Sequence, residues 1–328
     1  MIILKMGFKF INQIKKILRQ IKSKIVKNIF SSLTEINGKP ILDFKKSNQL
    51  LKEIIIKKNK GFLITRIGTT EGSILLHELK TIRKKEQYNY PPILKKNLSD
   101  LSGVFPTDDS SIKKFSNIYS QALLAADVLG VRSDPDEINF WSMESKIIDG
   151  YKLNPILVNL NCLSPLTSVD PWTAYLGNKK VLIIHPFVES IKRQLKKRTV
   201  LFKNPLFPKD FNPSFIKAIQ SLADNKSYIR YKSWFAALEF MKSKIHKHDF
   251  DIALIGAGAY GLPLAYECLK LGKKAIHVGG ALQLFFGIKG KRFNENTEIK
   301  KLINKHWIFP LKEEMPAGAD KVEGGCYW

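Results

Sequence analysis

Three short stretches hold residues that could handle a charged ligand. The first is Arg66-Ile-Gly-Thr-Thr-Glu-Gly72, which puts a guanidinium, two hydroxyls and a carboxylate into one loop. An arginine there could pair with a phosphate. Glu71 could bind a metal, act as a base towards a hydroxyl, or simply favour a helix start. The second is Gly256-Ala-Gly-Ala-Tyr-Gly261, a literal G-x-G-x-x-G. Without Cβ atoms such a backbone turns sharply and approaches a ligand closely, and the free N–H groups of the following helix attract an anion. The loop therefore either faces the phosphates of a nucleotide or only lets helix and strand pack closely. The third is His185-Pro186, at the end of the apolar run Val181–Ile184.

The elements around these stretches must position them. Ile252–Ile255 reads as a strand buried on both faces, Leu262–Leu271 as a helix, and Ala275–Val278 as a second strand ending at Gly279-Gly280. A right-handed crossover makes the two strands parallel. Phe62–Thr65 is another strand, and Ser73–Arg83 the helix after its loop. Asp108-Asp109-Ser110 caps a further helix, which accounts for that acidic pair without chemistry. The alternation of strands and helices predicts an α/β fold, a Rossmann-like parallel sheet flanked by helices. Ligands bind such sheets at the carboxyl ends of the strands. The loops 66–72, 185–190 and 256–261 are therefore expected to converge on one edge around a common hollow. A dinucleotide fingerprint would also need an acid about 20 residues beyond its glycines, where this chain has Ile276-His277-Val278.

The chain has 328 residues, is 44% hydrophobic and carries a formal charge of +25, so it can bury a large core and will attract anions. Lysine, isoleucine and asparagine are abundant, a bias that AT-rich coding also produces. Cys162, Cys268 and Cys326 are far apart, with neither disulfide nor metal-ligand spacing, which suits a reducing cytoplasm. Residues 1–34 hold eight Lys/Arg and no acid, with apolar residues at helical intervals from Phe10 to Ile29. This predicts a basic amphipathic helical extension. Such a helix lies in a membrane interface, packs on protein, or acts as a targeting segment, but its charges prevent it from spanning. Residues 35–328 are read as one α/β domain. Its tail, Gly324-Gly-Cys-Tyr-Trp328, is expected to fold back on the domain. The cluster Lys192, Arg193, Lys196, Lys197, Arg198 is either a phosphate or lipid patch or a solvated helix face.

Phe62-Leu-Ile-Thr-Arg-Ile-Gly-Thr-Thr-Glu71 resembles the strand and loop that open the GT-D-fold glycosyltransferases, whose pattern is Arg-aromatic-Gly-Asp-Gly-Glu. The 252–280 stretch, with its Gly-rich loop, Leu-Ala-Tyr and Leu-Gly, resembles their C-terminal unit, and Lys179–Phe187 with Ser190-Ile191 the broader GT-D-like group. The resemblance implies an enzyme that moves a sugar from a nucleotide-diphosphate donor to a surface-polysaccharide, lipid-linked or protein-linked acceptor. The basic segment 1–34 would place it in the cytoplasm, peripheral on the inner face of the membrane. Glu71 and His185 would be catalytic. Arg66, Gly68, Thr69, Thr70, Gly256, Gly258, Tyr260, Gly261, Gly279, Gly280 and Gln283 would bind the nucleotide-sugar. The family's metal-binding Asp-x-Glu, for Mn²⁺ or Mg²⁺, falls on Thr69, Thr70 and Glu71, so only Glu71 carries over. Either basic residues replace the metal or another carboxylate supplies its second ligand. The other readings are an NAD(P)-dependent or other nucleotide-dependent enzyme and a non-catalytic membrane-surface binder. No nucleic-acid motif is present.

Overall fold

Runs that are apolar at every position can only be strands if both their faces are covered. The computed structural model describes residues 33–57, 60–322 and 324–328 and meets that condition. Nine strands form one sheet in the order β1-β2-β5-β4-β3-β9-β8-β6-β7. They are β1 (Glu35–Ile36), β2 (Lys39–Leu42), β3 (Phe62–Arg66), β4 (Val128–Val131), β5 (Ile156–Asn159), β6 (Val181–His185), β7 (Ser214–Lys217), β8 (Ile252–Ile255) and β9 (Lys274–His277). Every pairing is parallel except that of β1 with β2. The extension expected over residues 1–34 lies almost wholly outside the described residues.

The helices are α1 (Phe44–Lys57), α2 (Thr69–Lys84), α3 (Pro92–Ser102), α4 (Asp109–Leu124), α5 (Ile138–Gly150), α6 (Val188–Leu195), α7 (Arg198–Leu201), α8 (Trp234–Ile245), α9 (Gly261–Lys270) and α10 (Thr297–Leu302). Successive residues of β3 point to opposite faces, as a pleated strand requires. Leu63 packs with α2, α4, α8 and α9 in one core cluster. Phe62 and Ile64 pack with α1, α6 and the turns at 279–286 in a second. The tail joins this second core through Cys326 and Trp328, as expected from its composition.

This arrangement makes a crevice. The chain leaves β3 towards α2 on one face and leaves its neighbour β9 towards 279–286 on the other. Where adjacent strands send their connections to opposite faces, the carboxyl edge opens into a ligand site. The ends of β4, β3, β9, β8 and β6 stand side by side there, so the three expected loops share one edge.

Candidate functional site at the carboxyl edge

Arg66 is the last residue of β3, and Gly68 precedes the first residue of α2. Glu71, in the first turn, is buried at 7% exposure and folds back over the loop. A Cβ on residue 68 would stand 1.9 Å from Glu71 Oε2, so the carboxylate sits where only a glycine leaves room. The Gly68 N–H donates to the Tyr119 hydroxyl at 3.1 Å, which ties the loop to α4. Burial, with Glu71 nearby, pushes the Tyr119 hydroxyl pKa up and keeps it protonated. The first N–H groups of α2 have no acceptor within the helix, as at any helix start, and they open onto the same cleft.

Arg132, directly after β4, completes this cleft. Its Nη1 and backbone N–H donate to the Glu144 carboxylate, its Nε lies 3.4 Å from Glu137 Oε1, and its Nη2 reaches Thr69 Oγ1 at 3.3 Å. Burial raises the pKa of both glutamates, and the guanidinium opposes that rise. Loss of water lowers the Arg66 pKa, and the nearby charge of Arg132 adds to it. Arg66 Nε is buried without a protein partner. The cleft encloses about 150 Å³ and is also lined by Gly68, Thr69, Thr70, Glu71, Gly258, His277, Gly279, Gly280, Arg292 and Tyr327. The guanidiniums of Arg66 and Arg132 and a helix N-terminus around one carboxylate suit a polyanion next to a hydroxyl.

The G-x-G-x-x-G divides its labour. A Cβ on Gly256 would meet Gly279 O at 2.7 Å and the His185 ring at 2.8 Å, and one on Gly261 would meet His277 Nε2 at 2.4 Å. Both are packing glycines. Gly258 alone has a left-handed φ of +52° and nothing within 4 Å, and it lines the cleft. Tyr260, expected at the ligand, is buried instead; its ring stacks on Trp234 at 5.0 Å and its hydroxyl bonds Ser221. Tyr260 and Gly261 are therefore corrected to core positions. His277 stands where a dinucleotide site would place its acid. Its Nδ1 bonds Thr65 Oγ1 at 3.0 Å, and burial pulls its pKa down to about 3.

One hollow was expected and two adjoining ones are found. His185 and Gly256 line a second cleft of about 80 Å³ that shares Leu101, Gly258, Gly280 and Tyr327 with the first. His185 Nδ1 accepts the Phe187 N–H at 3.0 Å, and desolvation lowers its pKa to about 3. The ring is thus neutral, with Nε2–H as its remaining donor. It can orient a ligand but is too weak a base for proton abstraction near neutrality. Gln283 lines this cleft too, but its amide nitrogen is spent on the carbonyls of Ile288 and Tyr327, which hold the tail in place. Trp328 closes the far wall with its indole Nε1 unpartnered.

The donor set does not fit a divalent metal. Thr69, in the place of the family's Asp, is already a hydrogen-bond acceptor for Arg132, so a cation there would face a fixed positive charge. The remaining carboxylates nearby, Glu137 and Glu144, are engaged by the same guanidinium. Among the described residues no group of three His, Cys, Asp or Glu could hold an ion.

Sequence reasoning brought Arg66, Gly68, Thr69, Thr70, Glu71, Gly258, Gly279 and Gly280 to the cleft and missed Arg132 and the tail residue Tyr327. The signal for Arg132 was present: a lone basic residue directly after the apolar run Val128-Leu-Gly-Val131. No short-range pattern marks Tyr327.

The model of the GT-D fold-like domain matches residues 45–285. One similar solved structure is described as a selenomethionine-substituted domain of unknown function 1792. It is 11% identical, with a TM-score of 0.43 over 89% of this chain and 96% of that one. Another is described as a new glycosyltransferase of the same domain type from Streptococcus sanguinis. It is 13% identical, with a TM-score of 0.41 over 84% of this chain and 96% of that one. No curated protein matches the sequence.

Proposed function

From membership of the GT-D fold-like family, to which this chain belongs, we propose that the protein is a glycosyltransferase using a nucleotide-diphosphate sugar, with residues 35–328 as its catalytic unit. The observation that carries this reading is the meeting of Arg66, Arg132, the α2 N-terminus and Glu71 in one cleft at the topological switch between β3 and β9.

The diphosphate lies against the two guanidiniums and the N–H groups of Thr69–Glu71. The acceptor hydroxyl oxygen attacks the anomeric carbon of the donor sugar and forms the new C–O bond. The bond from that carbon to the diphosphate oxygen breaks, and its electron pair leaves on the diphosphate. The hydroxyl proton passes to the Glu71 carboxylate. Charge grows on the leaving group in the transition state, so cationic and N–H donors fixed beforehand lower the barrier. The adjoining cleft, with neutral His185 and the aromatic tail, takes an uncharged part of the substrates.

No described helix is long and apolar enough to cross a membrane. The basic segment 1–34 would instead hold the enzyme against anionic lipid on the cytoplasmic side, near a glycan or lipid-linked acceptor.

The test is release of nucleotide from a panel of UDP-, GDP- and dTDP-sugars. One donor class should be turned over, and Glu71→Gln should cut the rate by about 10²- to 10⁴-fold, the usual worth of a general base, with nucleotide affinity kept. Equal turnover by Glu71→Gln would remove Glu71 from the chemistry.

A further inference from the structure

Position 69 is where the resembled family carries a metal-binding aspartate, and here a guanidinium fills the neighbourhood of that position. We infer that Arg132 takes over the role of a divalent cation, so that this chain binds its diphosphate without metal. The inference rests on the proposed function for the identity of the anion.

Four observations support it. Arg132 is 6% exposed yet lines the cleft. Its guanidinium is oriented rather than mobile: Glu144 holds Nη1, Glu137 lies beside Nε, and the Phe140 ring lies 4.5 Å away. Its Nη2 points to Thr69 Oγ1, the atom that replaces a metal ligand. Finally, Thr69 opens the α2 helix close behind Arg66, so the freed position belongs to the same cleft as the Arg66 guanidinium.

The chemistry is coherent. A divalent cation gathers phosphate oxygens and neutralises the leaving group. A planar guanidinium does the same with directed N–H donors and cannot lose its proton near neutrality. It also needs no second carboxylate, which this cleft lacks. With threonine in place of aspartate the ligand a metal needs is missing, and a hydroxyl that accepts from arginine stands there instead. The carboxylate missing at 69 is thus offset by a cation held at the end of β4.

The experiment is calorimetric titration of the full chain with UDP, GDP, dTDP and inorganic pyrophosphate, in EDTA and again with Mn²⁺. Pyrophosphate serves as the probe that needs neither base nor sugar. At least one of these ligands should bind in EDTA, and Mn²⁺ should change its affinity by less than about threefold. Arg132→Met combined with Glu144→Gln, which avoids stranding a buried carboxylate, should weaken binding by about ten- to a hundredfold, the worth of a charge-assisted hydrogen bond. Thr69 is exposed at a helix start, so Thr69→Asp should fold normally. It should weaken binding in EDTA and make it responsive to Mn²⁺. Wild-type binding that vanishes in EDTA and returns with Mn²⁺ would overturn this inference and leave the glycosyltransferase reading intact. No binding of any probe in either condition would overturn both.

Discussion

Two strand–loop–helix units face each other across the crevice: β3 with α2, and β8 with α9. The second carries the better-known signature, three glycines at fingerprint spacing, and the first only a loop with mixed polar residues. The structure reverses their apparent importance. In the β8 unit, Gly256 and Gly261 serve packing against His185 and His277, and only Gly258 opens to the cleft. In the β3 unit, a single glycine at 68 lets a buried carboxylate fold beside a half-buried arginine. The same residue type thus makes room for a histidine ring in one unit and for a carboxylate in the other. Glycine spacing records close approach, and what approaches decides whether the unit does chemistry.

That contrast can be broken by substitution. The β3 unit should fail in activity without failing in stability: Glu71→Gln keeps the shape that packs on Gly68, so its melting temperature should stay near wild type while turnover collapses. The β8 unit should do the opposite. Gly261→Ala gains up to about 1 kcal/mol of helix propensity but drives a methyl into the buried His277 ring, an overpacking that costs roughly 1–3 kcal/mol. The expected outcome is a lower melting temperature, with activity per folded molecule nearly kept. Wild-type stability in Gly261→Ala would show that His277 yields easily and that the glycine has some other purpose. Gly258→Ala is a smaller perturbation. Nothing blocks its Cβ, so its cost is the left-handed φ, about 1–2 kcal/mol, read by denaturant titration.

The histidines sharpen the comparison through pH. His185 and His277 titrate at about 3 in the folded chain against 6.5 when exposed, because burial disfavours their charge. The unfolded chain therefore binds more protons between those values. Their stabilising contribution is complete above pH 6.5 and is lost progressively as pH falls towards 3. At pH 6 the loss is about 1 kcal/mol per histidine, seen as a falling melting temperature. His277→Asn should flatten that slope, and an unchanged slope would mean the ring is not the group responsible.

Much of the architecture was legible because it depends on local patterning. Apolar runs gave β3, β6, β8 and β9, and Asp108 gave the start of α4, where its carboxylate accepts the Ser111 N–H. The edge on which Arg66, Glu71, His185 and Gly256 meet followed from parallel pairing. Three things were not legible. The split into two clefts depends on how Tyr327 and Gly280 pack, a contact between residues 47 apart in sequence. The burial of Tyr260 depends on stacking with Trp234, set by the path of α8. The reach of Arg132 into the cleft depends on β4 lying beside β3, which its position directly after an apolar run does not reveal. Local sequence specified the elements, and long-range packing chose which of their polar residues reach the ligand.

The central claim is that the β3 edge recognises a diphosphate through Arg66. Calorimetric titration of the wild type and Arg66→Ala with the same nucleotide-sugar panel tests it most directly. The account predicts that one nucleotide class binds the wild type and loses about ten- to a hundredfold in affinity with Arg66→Ala, as expected when a charge-assisted contact is removed. Equal affinity in the two proteins would contradict it.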